Sequence, residues 1–567
     1  MSVLGQTSVS GARRSRPWLA LLLGLVAIAA VCLPVAGVFA AVLDASAWST
    51  LAHLASTVIP NAALETAALV VLVTCGVAFL GTTSAWLIAA YEFRGRVFFE
   101  WALLLPLAAP AYIVAYAYTD ALQFSGPIQS ALRDVMGWRH GEYYFPEIRS
   151  VPGAAFVFTV VLYPYVYLLA RTAFLSRTAS MQDAARSLGL APLAAWLRVD
   201  LPLARPAIVA GSLLALMETV ADYGAVSYFG LQTFTTAIYR AWFAHGDRVA
   251  AAQLSAVLLI LVVCLIALEH RARGRARFFA APNAVRPAPR TRLAGARSAA
   301  AAIACCVPLA LGFVLPAVLL IRLLPSRGAI DASRLAAAFG NTVFLGFCAA
   351  AVVLAAVLAV AYAVRLAADA RLPRVAARVL GLGYAVPGAV IAVGVLIPLA
   401  AFDNAFDAWM KHNFGIGTGL LVTGTVVALL YAYLVRYFAV AYQPVEAGLA
   451  RITPQMDASA RTLGAGPGEV FARVHLPLIA PSVLAAGLLV FVDVVKELPA
   501  TLVLRPFNFD TLAVLAYQFA ADEQLGQAAV PALAIVCAGV LPVIVLSRAI
   551  GAASASGRGV VAEPLPA

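Results

Sequence analysis

Apolar runs long enough to cross a bilayer as helices recur along the whole chain, separated by short polar intervals. A membrane barrel would show strands of only about 10 residues, so the pattern predicts helices. It predicts about twelve, over 18–42, 63–91, 98–119, 151–171, 206–229, 250–269, 298–322, 342–365, 379–401, 419–442, 481–503 and 528–548. Arg13, Arg14 and Arg16 precede the first run, as they would a secretory signal. At about 25 residues that run exceeds a signal's apolar region, so it reads as a retained first helix.

Composition agrees. Of 567 residues, 63% are hydrophobic and 12% charged, and the mean hydropathy is +0.92. Soluble domains carry roughly 25% charged residues. A soluble globule, a disordered chain and a fibrous repeat are excluded, and an all-α polytopic membrane protein remains. Net charge is +12, and Lys411 and Lys496 are the only lysines. Arginine therefore sets the orientation, because loops that stay inside retain basic residues. The N-terminal segment has three Arg and no acid; 270–297 has eight Arg and no acid. Both are expected in the cytoplasm, with six helices between them. The loops at 120–150, 402–418 and 504–527 carry mixed or acidic charge and are expected outside.

The expected plan is a cytoplasmic segment 1–17, a six-helix half 18–269, a basic linker 270–297, a second half 298–548 and a cytoplasmic tail 549–567. Such a chain crosses a membrane many times with both termini expected inside. Linker arginines can meet membrane lipid, though tethering alone accounts for them. No folded basic domain is present to bind nucleic acid. The seven cysteines lie in apolar runs without CxxC spacing and read as small buried hydrophobes.

A repeat organises the chain. Met181-Gln182-Asp183-Ala184-Ala185-Arg186-Ser187-Leu188-Gly189 lies between the fourth and fifth helices, followed by Val199-Asp200-Leu201-Pro202 and Pro206. Met456-Asp457-Ala458-Ser459-Ala460-Arg461-Thr462-Leu463-Gly464 lies between the tenth and eleventh, followed by Val474-His475-Leu476-Pro477 and Pro481. Every matched pair is 275 residues apart. Each copy predicts a short helix stopped by a glycine. A second amphipathic stretch follows, with Trp196, Leu197 and Val199, or Val470, Phe471 and Val474, as apolar positions, and Leu-Pro ends it. Such a segment either lies on lipid or docks a cytoplasmic partner.

The pattern resembles the EAA loop of ABC-transporter permeases, E-A-A-x3-G-x9-I-x-L-P. The first copy fits with Asp183 for Glu, then Ala184, Ala185, Gly189, Leu201 and Pro202, and Val199 for Ile. The second has Ala458 at the acidic position, then Ser459, Ala460, Gly464, Leu476 and Pro477, with Asp457 one residue early. Further segments look like the fused permeases of bacterial iron(III) importers: Leu105–Tyr112, Lys496-Glu497-Leu498-Pro499-Ala500-Thr501 and Arg505-Pro506-Phe507. Fused thiamine permeases are close relatives. The resemblance implies a type I importer permease with two parallel six-helix repeats. It implies two ABC ATPase subunits docked on the loops and a periplasmic, iron-type binding protein outside. ATP and Mg would be used by the partner subunits. This chain has no GxxxxGK[ST] phosphate loop, no catalytic residues and no cofactor of its own, and no metal site is firmly assigned.

Acids in spans are costly, roughly 2.5–3.5 kcal/mol each at the bilayer centre. The helix after each loop carries two: Glu218 and Asp222, then Asp493 and Glu497, again 275 apart. Their spacing of four predicts one helix face per pair. Two readings stand. Either Lys496 and neighbouring helices satisfy the acids structurally, or the acids line a path for a cation such as ferric iron. Thiamine, polyamine or another small solute is the alternative cargo. A twelve-helix secondary transporter and a signalling scaffold are the rival classes.

Overall fold

In a computed structural model the chain is almost wholly helical. The structure describes residues 17–42, 47–139, 142–273, 289–324, 331–366 and 371–556. The basic N-terminal segment, the linker's 274–288 and the tail's 557–567 lie outside the described residues. Ten described helices are long and apolar enough to cross a membrane. The predicted third span is a bent pair, Arg96–Ala108 and Ala111–Met136, turning by 89°. Ala109 precedes Pro110 and is driven into an extended conformation (φ −102°, ψ 117°), which breaks the helix. The first predicted span falls on helix Pro17–Val42, whose apolar stretch Gly24–Ala40 is shorter than the ten.

Two compact units are present. One comprises Pro34–Gly346, Ala385–Leu429 and Val492–Ala567. Its centre is the packing of Ile59–Ala90 against Val151–Leu175 and Leu201–Ala221. Small residues allow this approach. A Cβ on Gly81 would lie 2.5 Å from Val166 Cβ, and one on Gly211 would lie 2.6 Å from Val166 Cα. In the same unit a two-residue parallel bridge joins Tyr91–Glu92 to Thr291–Arg292, where the linker re-enters the fold.

The other unit comprises Met1–Leu33, Phe347–Tyr384 and Leu430–Phe491. Gly448 approaches Ser482, where an added Cβ would lie 2.8 Å from Oγ, and Gly487 approaches Leu354 in the same way at 2.9 Å.

Two expectations need correction. Cys305 is buried, but Cys32, Cys75, Cys264, Cys306 and Cys537 are exposed. An apolar run in a membrane helix faces lipid as often as core, so apolar surroundings do not imply burial here. Leu-Pro does not end the amphipathic stretch either. Helix continues from Trp196 to Ala221 and from Pro467 to Val495. A wide π turn, Trp196–Asp200 or Phe471–His475, immediately precedes each Leu-Pro. Its i→i−5 bonding (Leu201 N–H to Trp196 O, Leu476 N–H to Phe471 O) reorganises the turn where proline lacks a donor.

Candidate functional site: two repeated loops and two broken helices

The first loop holds helix Ala179–Ser187, which carries Asp183, Ala184 and Ala185. The second holds helix Pro454–Thr462, which carries Ala458, Ser459 and Ala460. Each ends at its glycine in the left-handed region, Gly189 at φ +71° and Gly464 at φ +83°. After the second helix, Ala465 N–H reaches back to Ala460 O at 3.1 Å and Gly464 N–H to Arg461 O at 3.0 Å, the closing bonds of a glycine stop. Both loops expose the same two apolar positions. Met181 and Met456 are 43% and 46% exposed; Leu188 and Leu463 are 77% and 88% exposed. Seven residues apart on a helix and its end, each Met–Leu pair presents apolar surface on one side.

Behind each loop lies an aromatic contact at matching positions. Trp86 meets Trp196 with centroids 6.1 Å apart, and Tyr362 meets Phe471 at 4.7 Å. The polar ties differ. In the first loop Arg177 lies 4.4 Å over the Trp86 ring and reaches Asp200 at 3.4 Å. In the second, the residue matching Asp200 is His475, whose Nε2 lies 2.7 Å from Asp457 Oδ1. Arg365 donates to the same carboxylate from Nε and Nη2, each at 3.1 Å. It also donates to the carbonyls of Leu449 (2.9 Å) and Ile452 (3.1 Å). Burial disfavours a charged Asp457, but the hydrogen bonds from Arg365 and His475 outweigh it and hold the carboxyl below the usual carboxylate range.

The four acids do not share helix faces as their spacing predicted. Helix Leu201–Ala221 stops before Asp222, and helix Leu476–Val495 stops before Glu497. Each of these carboxylates instead caps the short helix that follows. Asp222 Oδ1 accepts from Ala225 N–H (2.8 Å) and Val226 N–H (3.4 Å). Glu497 accepts from Ala500 N–H (2.8 Å) and from Thr501 N–H (2.9 Å) and Oγ1 (2.5 Å). The sequence pattern missed this because Asp and Glu stabilise both a helix face and the next helix's open N–H groups.

The two breaks meet. A Cβ on Gly224 would lie 2.8 Å from both Leu498 Cδ2 and Tyr112 Cβ, and Tyr239 donates to Pro499 O. Tyr112 lies within electrostatic reach of Asp222 and Glu497 together. The other two acids gather at Lys496, which pairs with Asp493 at 2.9 Å and feels Glu218. Among the described residues no group of three His, Cys, Asp or Glu is placed to hold a metal ion.

No family model matches the chain. Curated relatives do. The Fe(3+)-transport system permease protein FbpB 2 of Haemophilus influenzae is 28% identical over 547 residues, 94% of this chain and 99% of that protein. The chain is thus similar along most of its length to fused, double-length ABC-transporter permeases. A probable ABC transporter permease of Sinorhizobium fredii is 24% identical over 81% of each chain. The molybdenum transport system permease ModB of Escherichia coli K12 is 27% identical over 200 residues, 84% of its length but 34% of this one. That single-length permease thus matches about a third of this chain.

Two residues behind the second loop carry sequence signals that the EAA pattern does not contain. Arg365 is a charge in the last turn of helix Ala332–Leu366, after a long apolar run. A search confined to intramembrane acids misses it. His475 sits inside the repeat itself, where the other copy has an acid.

Proposed function

We propose that this permease is the membrane subunit of an importer for ferric iron, delivered by a periplasmic binding protein and driven by two ATPase subunits. The ATPases dock on the loops spanning 183–202 and 458–477, which face the cytoplasm, as do both termini. The observation that carries this reading is the duplicated build of the loops. Each has a short helix, a left-handed glycine, an exposed Met and Leu in one register, and a π turn feeding a continuous span. A helix lying on lipid has no need for a matching handle 275 residues away. The π turn and unbroken helix give a push on either loop a direct route into the span that follows.

Hydrolysis belongs to the ATPase partners, and no cofactor of this chain enters the cycle. The two six-helix halves, 18–269 and 298–548, run in parallel, since six crossings return the chain to the same side. Iron is favoured over molybdenum by the end-to-end match to an Fe(3+)-transport permease and by the acidic groups at the breaks, which disfavour an anion. Asp222 and Glu497 hold the broken helices, while Glu218 and Asp493 supply the charge that passing cargo meets. Contacts in the path are weak, so tight selection lies in the binding protein.

The test is twofold. Purification through a tag on this chain should bring down an ATPase, and cells expressing the complex should take up radiolabelled ferric iron in an ATP-dependent manner. Uptake driven by a proton gradient with no ATPase attached would mark a secondary transporter. An ATP-driven complex indifferent to iron would redirect the cargo to thiamine, polyamine or another solute. Glu218→Gln should lower uptake at normal expression; Glu497→Gln should lower expression first.

A further inference from the structure

The second loop carries an arrangement that the EAA pattern does not contain. Its motif acid is missing: Ala458 stands there, and Asp457 precedes it. Asp457 is turned inward, its side chain 18% exposed, and both its oxygens are engaged. Arg365 binds it through two nitrogens and, through Nη1 and Nη2, holds the carbonyls Leu449 O and Ile452 O that end helix Val426–Ala450 and its following turn. Planar guanidinium geometry suits such a fork. His475, 2% exposed, approaches the same carboxylate from the π turn. Tyr362, one turn before Arg365, closes the other side. Its ring lies 5.8 Å from that of His475, and its hydroxyl donates to Pro467 O. Helix Pro454–Thr462 has no buried residue of its own, so it has no apolar anchor holding it in place.

We propose that Arg365 and His475 are positioning residues for coupling: they clasp Asp457 and make helix Pro454–Thr462 move as one body with the ends of three spans. The shifted acid thereby serves inside the chain and is withdrawn from the ATPase. The first loop lacks the residues of this clasp at the matching positions. The position matching Arg365, by the offset of 276 that relates Tyr362 to Trp86, is Ala89, and Gln182 stands where Asp457 does. The first loop's acid, Asp183, lies on an exposed position of its helix. The two handles therefore differ in sequence at the clasp positions. This inference rests on the docking reading, but its structural half can be measured without any ATPase.

The experiment uses the full-length permease in nanodiscs, alone and with its co-purified ATPase. Amide exchange over 454–465 should rise about tenfold in Arg365→Ala and several-fold in Asp457→Asn and His475→Gln, as expected when charged hydrogen bonds are lost. Arg365→Ala combined with Asp457→Ala should be no worse than the first alone. Arg365→Lys should restore little, since an ammonium cannot serve the carboxylate and two carbonyls in that geometry. In the complex, each single variant should retain its ATPase, yet move at least about fivefold less radiolabelled ferric iron per ATP than the parent. Loss of folding in Arg365→Ala leaves Asp457→Asn, which removes charge at constant shape, to decide. Unchanged exchange in Asp457→Asn and His475→Gln would overturn the clasp. Raised exchange with unchanged iron per ATP would overturn its role in coupling. A parent that binds no ATPase would instead overturn the docking reading, leaving the exchange result standing.

Discussion

At the first loop Asp200 pairs with Arg177 beside Trp86; at the second, His475 occupies the place of Asp200 and turns to Asp457. The exposed Met and Leu, the left-handed glycine, the aromatic contact and the π turn are shared. What differs lies behind the loop, in the side chains that fasten it. Under the docking proposal, the comparison teaches that a duplicated handle is constrained where its partner would touch it and free to vary in how it is fastened.

The shared features should give the largest effects. Leu188→Asp together with Leu463→Asp places a charge on both apolar positions. An interface anchor is worth about 2 kcal/mol or more, so ATPase retention should fall on the order of a hundredfold or more. Each single change should cost a similar share in a pull-down titrated with ATPase. A loss confined to one loop would break the equivalence of the handles.

Gly189→Val and Gly464→Val come next. Nothing crowds a Cβ at either site, but both backbones have positive φ, which costs a side-chain-bearing residue roughly 1–2 kcal/mol and a β-branched one more. Membrane insertion should be intact while iron moved per ATP falls in both variants. Unchanged transport per ATP in both would argue against docking.

Smaller effects should separate the fastenings. Arg177→Ala removes one ion pair and a cation–π contact, together worth about 1 kcal/mol. Exchange over 179–187 should rise only a few-fold, less than Arg365→Ala raises it over 454–465. Equal effects would erase the distinction. The smallest effect appears with pH. Because Asp457 titrates below its unfolded value of about 3.9, its stabilisation is fully present above that value and is lost only as pH falls through the lower folded one. Amide exchange over 454–465, corrected for its intrinsic rate, should rise as pH falls below about 4.

Much of this was legible in the sequence. Apolar runs give the spans because lipid demands continuous helix. Gly189 and Gly464 act as the stops their position in the repeat suggests. The spacing of Asp222 and Glu497 misled, since a period of four describes a helix only while the helix continues, and both helices break between the two acids of the pair. The clasp was invisible because Arg365 and Asp457 are far apart in sequence and only the fold joins them.

The measurement closest to the central claim is the native mass of the complex purified through one tagged permease. The account predicts two ATPase copies on the parent and one after either Leu188→Asp or Leu463→Asp. A transporting permease that carries no ATPase, or one that keeps both copies with both leucines replaced, would contradict it.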